Sequence, residues 1–316
     1  MNFIYKNSRL LYYIKHFIEF AQSPLSRLEK VQQGENLLTE LQRRDIQRRV
    51  NYYNQIDDAT EIPDAASPMR LQIFSRHKNY QIDLFKYARL FPQHLRIHRL
   101  FGDNSINPPY PTVLKSRPIH SGGTQNGVIM NLNRVRHFNF PPDRLRFEEK
   151  ENRLVWRGAA WQQNRIDFLE QFSAHPKCDV GHFSKSRTTR HRERSFLSIK
   201  SQLRYKFILS LEGNDVATNL KWILNSNSLC FMPPPLNETW FMEGCLSPEV
   251  HFVPVKRDFS DLEEKIDFYS SNADAALQII SNAHRHVTQF SNPMIEDIIA
   301  FKVLKKYFVA TGQMLP

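Results

Sequence analysis

One short segment in the middle of the chain has residue types that suit the binding of a phosphate group. Asn152–Gly158 is typical of a strand that ends in the pair Arg157-Gly158. A glycine at a strand end lets backbone N–H groups approach an anion, and a guanidinium can bind two phosphate oxygens at once. The alternative is an ordinary exposed arginine at a strand end, and the residues alone leave both interpretations open.

A second segment, Gly213–Lys221, predicts a loop that leads into the N-terminus of a helix, and the pattern from Val216 to Leu224 is helical. Such a helix start attracts anions because its first backbone N–H groups are unpaired and its dipole is positive there. Lys221 would add a point charge for a phosphate. The alternative for Asp215 and Thr218 is plain helix capping, which one turn can combine with anion binding.

Two carboxylates flank a tryptophan further along the chain, as Glu238, Trp240 and Glu243. A carboxylate beside a bound nucleotide commonly accepts hydrogen bonds from ribose hydroxyls, and an indole can stack on a base or a sugar. The alternative is a surface glutamate next to a core tryptophan. These three residues are therefore candidates for a nucleoside site.

The elements that would position these residues alternate between strand and helix patterns. From about residue 151 to 290, apolar runs near Gly158, Leu211, Met232 and Val255 are separated by turn and helix patterns. This alternation predicts an α/β unit with a largely parallel sheet, which binds ligands at the carboxyl ends of its strands. The first 58 residues are predicted to be mainly helical instead.

The composition restricts the classes of partner. The 316 residues carry a formal net charge of +11, which favours polyanions such as nucleic acid, anionic phospholipid or phosphorylated glycolipid. The basic segment Arg187–Arg194 could meet such phosphates or be a solvated surface. We see no base-stacking platform or nucleic-acid-binding motif, and therefore predict no nucleic-acid partner.

The N-terminus and the cysteines bear on location. No apolar run reaches the roughly 18–20 residues of a membrane helix, and the start lacks the features of a signal peptide. It predicts an amphipathic helix that is either docked on the protein or resting on a membrane surface. Cys178, Cys230 and Cys245 form no close pair, which argues against disulfides and structural zinc. We predict a cytoplasmic protein, with peripheral contact to an anionic inner membrane as an open alternative.

Five segments in order resemble glycosyltransferase family 90, which includes bacterial lipopolysaccharide A proteins and eukaryotic protein O-glucosyltransferases. Any one of them is weakly specific, whereas five in order are strong. The first is similar to the bacterial lipopolysaccharide branch in particular. In chain order they are Pro111–Ile119 with Asn131–Phe138, Val155–Gly158, Glu212–Trp222, Glu238–Gly244 and His251–Asp258.

The resemblance implies an α/β fold of the GT-B type, with two Rossmann-like domains facing across a cleft and a helical segment at the N-terminus. On this basis we predict an acceptor-side domain over residues 1–150 and a nucleotide-sugar-binding domain over 151–290. A C-terminal helix is predicted over 291–316.

The resemblance also implies an inverting enzyme that moves a hexose, glucose or galactose, from a UDP-sugar to a lipopolysaccharide core. The lack of an Asp-x-Asp triplet and of a histidine cluster fits a transferase without metal or other cofactor. Asn219 stands where eukaryotic members have an arginine, so Arg117 or Arg157 must supply part of the phosphate contacts. The expected donor-binding residues are Arg117, Arg157, Gly158, Gly213, Asp215, Thr218, Asn219, Lys221, Glu238, Trp240 and Glu243.

A transferase of this kind needs a general base that takes a proton from the acceptor hydroxyl. His120 is one candidate because imidazole titrates in a suitable range, and Asp103 in the preceding turn is the acidic alternative. His120 could equally be a plain loop residue. The remaining alternatives are a protein O-glycosyltransferase-like enzyme, an inactive relic that only binds sugar nucleotide, and, on charge alone, a nucleic-acid-binding protein.

Overall fold

The computed structural model describes residues 9–56, 60–72, 74–119, 125–183 and 194–315. These residues form two compact units, each assembled from separate stretches of chain. The N-terminal unit comprises residues 9–137, 236–243 and 290–315 of the described chain, and the sheet unit comprises 138–235 and 244–289. The predicted domain boundaries after residues 150 and 290 stay a prediction.

The described helices and strands are numbered in chain order. The helices are α1 (Arg9–Ala21), α2 (Pro24–Asn36), α3 (Glu40–Tyr53), α4 (Lys78–Ala88), α5 (Arg134–His137), α6 (Gln163–Phe172), α7 (Ile199–Gln202), α8 (Leu220–Leu224), α9 (Leu262–Ser271), α10 (Ala273–Thr288) and α11 (Pro293–Ala310). The strands are β1 (Ser67–Pro68), β2 (Arg96–Ile97), β3 (Arg99–Leu100), β4 (Thr112–Leu114), β5 (Ser116–Pro118), β6 (Gly127–Ile129), β7 (Glu151–Gly158), β8 (Cys178–His182), β9 (Tyr205–Leu209), β10 (Leu229–Met232), β11 (Asn237–Thr239) and β12 (Val253–Pro254). Short 3₁₀ helices cover Phe147–Glu149 and Glu243–Cys245.

The sheet unit is built on a five-stranded parallel sheet with the order β12-β10-β9-β7-β8. The chain runs from β7 through α6 to β8 on one side, and then returns to place β9 on the other side of β7. This is the flavodoxin-like doubly wound order, whose switch point lies between its first and third strands. The switch point of this unit therefore lies between β7 and β9.

The sheet of this unit is buried on both faces, which explains its sequence. The runs Phe207–Leu209 and Leu229–Met232 are apolar throughout and buried, as expected for parallel strands covered by helices. The helices α6, α9 and α10 contribute Phe168, Ile266 and Ile279 to the same core. The predicted α/β class with a parallel sheet is confirmed.

The N-terminal unit combines helices with short strands. Its β3, β4 and β6 form a parallel sheet, and β5 pairs antiparallel with β11. The last helix, α11, packs against α2 and α3, where Asn54 of α3's C-cap donates to the carbonyl of Val303. The parallel strands here are two or three residues long, so a complete Rossmann-like sheet in this unit stays a prediction.

Two further features differ from, or add to, the sequence expectations. The helix predicted from Val216 begins only at Leu220, because residues 210–219 form a loop held by side-chain hydrogen bonds. Within the described part of the chain, no helix combines the length and the apolar character needed to cross a bilayer.

Candidate functional site

The carboxyl ends of β7 and β9 meet at the switch point of the sheet unit. Arg165, on α6, ties the two strand ends together through its guanidinium. It donates to the carbonyl of Ala159 after β7 at 2.9 Å, and to those of Leu211 and Glu212 after β9 at 2.7 and 3.2 Å. The loops at this edge are therefore held in one shape by a cationic side chain.

Two predicted glycines lie at this edge, and each has a reason in packing. A Cβ on Gly213 would lie 3.1 Å from a terminal nitrogen of Arg165, which is tighter than an ordinary contact. A Cβ on Gly158 would lie 2.6 Å from the indole of Trp156. Gly213 thus gives the loop its close approach to Arg165, while Gly158 leaves room for a core side chain.

The side chain of Asn219 holds the two ends of the loop after β9 together by hydrogen bonds. It donates to the carbonyl of Leu209 at 3.0 Å and accepts from the hydroxyl of Ser210 at 3.2 Å. Asp215 is buried and Thr218 is half-buried in the same loop, and the N-cap position of α8 is Asn219, whose side chain makes no capping hydrogen bond. The loop leads into a helix as predicted, but α8 begins at Leu220 rather than Val216 and is a single short turn.

Lys221 is completely buried on α8. Its ammonium nitrogen lies 6.0 Å from the centroid of the Phe138 ring, at the outer limit of a cation–π contact. The charge is thus inside the sheet unit near the loop after β9, and not on an exposed helix start.

Arg157 makes contacts along the sheet rather than beyond the strand end. Its guanidinium forms an ion pair with Asp179 of β8 at 2.6 Å and donates to the carbonyls of Trp156 and Asp179. Tyr205 donates to the other oxygen of the same carboxylate at 2.6 Å. Although burial raises the pKa of Asp179, these hydrogen bonds and the charge of Arg157 lower it below its ordinary value.

Arg117 and Glu238 are brought together in the N-terminal unit, as neighbours across β5 and β11. The guanidinium of Arg117 donates to the carboxylate at 2.8 Å and to the carbonyls of Tyr52, Tyr53 and Gly127. Tyr52 also donates to Glu238. Burial raises the pKa of Glu238, an effect that the nearby Arg117 and Tyr52 reduce without cancelling.

Trp240 and Glu243 belong to the buried interior of the same unit. Trp240 stacks on Tyr53 with ring centroids 4.0 Å apart, and its indole N–H donates to Glu296 at 2.5 Å. Glu296 also pairs with Arg49 at 2.6 Å. Glu243 accepts from the backbone N–H and the hydroxyl of Thr239 and is not exposed. These contacts match the alternative interpretation, in which Trp240 is a core residue.

Asp103 lies beside a cavity of about 520 Å³ in the N-terminal unit. The lining residues are Arg76, His77, Asn79, Tyr80, Asn133, Val135 and Arg136. Two of these contact the carboxylate, Tyr80 at 3.1 Å and Arg136 at 3.3 Å, and the buried Lys115 contacts it at 2.5 Å. Asn133 has a φ of 57°, a left-handed backbone that is uncommon without a special role.

The protonation of Asp103 follows from these neighbours. Burial alone would raise the pKa of this carboxyl group, but the charge and hydrogen bond of Lys115 lower it, and Arg136 lowers it further. The net result is a pKa below the ordinary aspartate value. Asp103 is partly exposed and is therefore an ionised carboxylate at neutral pH.

Some predicted features cannot be placed. His120 lies outside the described residues, as does the basic segment Arg187–Arg194 except for its last residue. Among the residues that the structure describes, no group of three or more histidine, cysteine or acidic side chains is arranged to hold a metal ion. The metal-independent chemistry stays a prediction.

Several residues at these sites were not among the site residues predicted from the sequence. Arg165 stands seven residues after Gly158, and only its contacts show that it joins the two strand ends. Lys115 and Tyr80 carry no local signal for their contacts with Asp103. Arg49 and Glu296 are separated by 247 positions in the chain, so no spacing rule could pair them.

Comparison with known proteins agrees with these observations. Residues 132–309 match the family model described as glycosyl transferase family 90. The chain is 44% identical over 309 residues to O-glucosyltransferase LpsA of Dichelobacter nodosus, which covers 95% of both chains.

The eukaryotic relatives match a smaller part of the chain. Protein O-glucosyltransferase 1 of Rattus norvegicus is 21% identical over 49% of this chain, and the match covers 41% of that protein. Protein O-glucosyltransferase 3 of Homo sapiens is 23% identical over 50% of this chain, and the match covers 32% of that protein. From the family match and the full-length bacterial relative together, we conclude that the chain belongs to glycosyl transferase family 90.

Proposed function

We propose that this protein is an inverting glycosyltransferase that moves a hexose from a UDP-sugar to the core of a lipopolysaccharide. The observation that carries the proposal is the switch point of a doubly wound parallel sheet whose strand ends are joined by Arg165. Ligands of such sheets bind outside the carboxyl ends of the strands at this point. Family membership supplies the reaction class, a glycosyl transfer.

The donor would bind at the strand ends of the sheet unit. Arg165 holds the strand ends in one shape beside the loop closed by Asn219, and Arg165 and the buried Lys221 add positive charge near this edge. Preorganised donors of this kind stabilise the negative charge that develops on a departing nucleoside diphosphate. We propose that no metal ion or other cofactor is needed, and that donor and acceptor belong to different domains of a GT-B arrangement.

The acceptor hydroxyl would be activated by Asp103. In a single displacement, the hydroxyl oxygen forms a bond to the anomeric carbon as the bond from that carbon to the UDP oxygen breaks. The hydroxyl proton passes to the base, and UDP leaves with the electron pair of the broken bond. The cavity beside Asp103 gives the acceptor a place, and the lowered pKa keeps the carboxylate ionised.

The choice of substrate is supported by the relatives. The bacterial relative, whose match covers 95% of both chains, is named an O-glucosyltransferase. This name favours glucose over galactose as the transferred hexose. The segments Pro111–Ile119 and Asn131–Phe138 resemble the lipopolysaccharide branch. A lipopolysaccharide acceptor would place the enzyme at the cytoplasmic face of the inner membrane.

Binding of the donor can be tested by thermal shift with UDP, UDP-glucose, UDP-galactose and nucleotides with other bases. We expect the uridine compounds to raise the melting temperature, and the variants Arg157→Ala and Lys221→Ala to show a smaller rise. If no uridine nucleotide changes the melting temperature, the donor assignment is wrong.

The base can be tested by transfer of labelled glucose from UDP-glucose to truncated core oligosaccharide. We expect Asp103→Asn to lower kcat by about 10³-fold, within the usual range for a lost general base, while the UDP-induced thermal shift is kept. Asp64→Asn, which removes an exposed aspartate, is the matched control. Retained activity in Asp103→Asn and its loss in His120→Ala would assign the base to His120.

The pH profile separates the same two candidates. Because the pKa of Asp103 is lowered, the carboxylate stays ionised until the pH falls below the ordinary aspartate range. We therefore expect kcat to be level through pH 6–7 if Asp103 is the base. A histidine base would instead lose activity as the pH falls through about 6.5.

A protein acceptor is the second candidate, favoured by the names of the eukaryotic relatives. Transfer to a folded protein domain but not to core oligosaccharide would favour it. A rise in melting temperature with UDP-glucose but no transfer to any acceptor would indicate a relic that only binds the donor.

A further inference from the structure

The first helix exposes a continuous apolar face. On a helical projection of α1, Leu10, Leu11, Ile14, Phe17 and Ile18 fall within one arc, and each is between 44% and 67% exposed. We call these five residues the α1 face. Their combined exposed area is roughly 500 Å², in the range of about 300–600 Å² of the largest apolar patch on a monomer, which is often functional.

The opposite side of α1 is docked on α4 and fixes the orientation of the α1 face. Tyr12 donates to the carboxylate of Asp83 at 2.8 Å, and Tyr13 donates to the side chain of Asn79 at 2.8 Å. Phe20 packs edge-on against Phe85 with ring centroids 5.3 Å apart. The α1 face therefore points outward because polar and aromatic contacts hold the other side of the helix.

Lysines border the α1 face. Lys15 is exposed and follows Leu11 and Ile18 on the helical projection. Beyond the other edge, the ammonium of Lys78 lies 5.1 Å from the ring centroid of Tyr13. These two lysines, on a chain whose net charge is +11, favour an anionic partner for this apolar surface.

A second apolar feature lies at the C-terminal end of α1. Leu25 at the start of α2 is 70% exposed and lines a mainly apolar groove of about 520 Å³. Arg89 lies on this groove and donates to the carbonyl of Gln22 at 2.7 Å. The other lining residues include Phe20, Pro24, Phe85, Leu90 and Phe91. The apolar lining next to the Arg89 guanidinium suits an acyl chain beside a cationic group.

We propose that the α1 face binds the surface of an anionic phospholipid bilayer, with α1 lying in the plane of the interface. A helix with an apolar arc bordered by lysines inserts its side chains just below the headgroups, while the lysines contact lipid phosphates. The helix has 13 residues, too few for the roughly 20 needed to span the hydrocarbon core. This inference goes beyond the proposed transfer reaction and stands on α1 and the residues beside it.

A second copy of the chain is the competing occupant. Its interface would bury roughly 500 Å² per partner at the α1 face, below the approximately 800 Å² of a standard stable interface. The bordering lysines would also oppose each other in a symmetric dimer. The observations thus favour a lipid surface over self-association.

The test is co-sedimentation of the full chain with phosphatidylcholine vesicles that contain or lack phosphatidylglycerol. We expect binding to the anionic vesicles, and about tenfold or greater weakening for each of Ile14→Ser and Phe17→Ser, since each removes a large side chain from the lipid. Leu41→Ser is the matched control, because Leu41 is 77% exposed on α3 and lies outside the α1 face. Lys15→Gln with Lys78→Gln should weaken binding to the anionic vesicles only.

The outcomes separate this inference from the proposed function. Serine variants that lose vesicle binding but keep transfer to a water-soluble acceptor would support the α1 face as a membrane-binding surface. Equal binding by the wild type, Ile14→Ser and Phe17→Ser would overturn it. A concentration-dependent dimer that the serine variants abolish, without vesicle binding, would also overturn it and favour a second copy. Loss of transfer with intact vesicle binding would count against the reaction and not against this inference.

Discussion

Two arginines of this protein hold main-chain carbonyls in different surroundings. Arg165 of the sheet unit is half-buried and donates to carbonyls that follow two strand ends. Arg117 of the N-terminal unit is buried, donates to three carbonyls and is neutralised by the carboxylate of Glu238 at 2.8 Å. Arg117 lies in one of the segments that resemble the family, whereas only Arg165 lies at the switch-point edge of a doubly wound sheet.

On the proposed function, the difference in burial separates an arginine that would bind a ligand from one that supports the fold. A buried arginine paired with a carboxylate contributes little field to a ligand, because the two charges cancel at a distance and both have lost their hydration. An arginine at an open sheet edge keeps its charge close to the place where a phosphate would sit. We therefore expect substitutions in the two regions to affect different quantities.

The largest effect on stability is expected for Arg117→Ala. The change leaves Glu238 buried without its guanidinium partner, which should lower the free energy of unfolding by about 3–5 kcal/mol. Urea denaturation measures the loss. Arg44→Ala, whose pair with Glu40 is largely exposed, is the control and should stay within about 0.5 kcal/mol of the wild type. A tenfold loss of UDP affinity in Arg117→Ala at unchanged stability would show that Arg117 binds the donor. The proposed difference between Arg117 and Arg165 would then be wrong.

Gly158→Ala should follow, with a loss of about 1–3 kcal/mol, because the added methyl group collides with the indole of Trp156. The same denaturation experiment measures it. In a Trp156→Leu background the glycine change should cost less, since the colliding ring is gone. An undiminished cost there would show that the packing reason for Gly158 is wrong.

Arg165→Ala tests the open edge directly. We expect UDP affinity to fall about tenfold or more, since the loops after β7 and β9 lose their common donor and the edge loses a charge. Isothermal titration with UDP measures the affinity. Arg153→Ala is a matched control, because Arg153 donates to the carbonyl of Cys178 within the same sheet. Equal UDP affinity in the wild type and Arg165→Ala would show that the donor does not bind at this edge.

The smallest effect is expected for Gly213→Ala. Its added methyl group would lie 3.1 Å from a terminal nitrogen of Arg165, so the guanidinium must shift by a few tenths of an ångström, and UDP affinity should fall by less than about fivefold. The loss should shrink in an Arg165→Ala background, because the two residues are in contact and their effects are not additive. Strictly additive losses would show that Gly213 acts independently of Arg165.

The fold of residues 151–290 followed well from the sequence. The apolar runs Tyr205–Leu211 and Ser228–Met232 predicted buried parallel strands, and β9 and β10 lie within them. The boundary before α8 was wrong because Asn219 holds the loop by hydrogen bonds to Ser210 and Leu209, which no helical periodicity reveals. The short strands of the N-terminal unit were not assigned individually, since two- and three-residue runs carry too little pattern.

The candidate site was predicted less completely from the sequence. Gly158, Gly213 and Asn219 lie at the predicted strand ends. Trp240 and Glu243 proved to be interior residues of the N-terminal unit, and their proposed contacts with a nucleoside stay a prediction. Asp103 was one of two candidates for the base, and only its contacts show why the carboxylate stays ionised.

The sequence by itself determined the parallel α/β core and the glycines of its edge, because apolar periodicity and backbone freedom are local properties. Only the tertiary structure decided which charges are neutralised. Arg117 meets Glu238 across 121 positions and Arg49 meets Glu296 across 247, and such partners are chosen by packing and burial rather than by spacing. The same holds for α1, whose apolar residues are visible in the sequence, whereas the side left exposed was set by its contacts with α4.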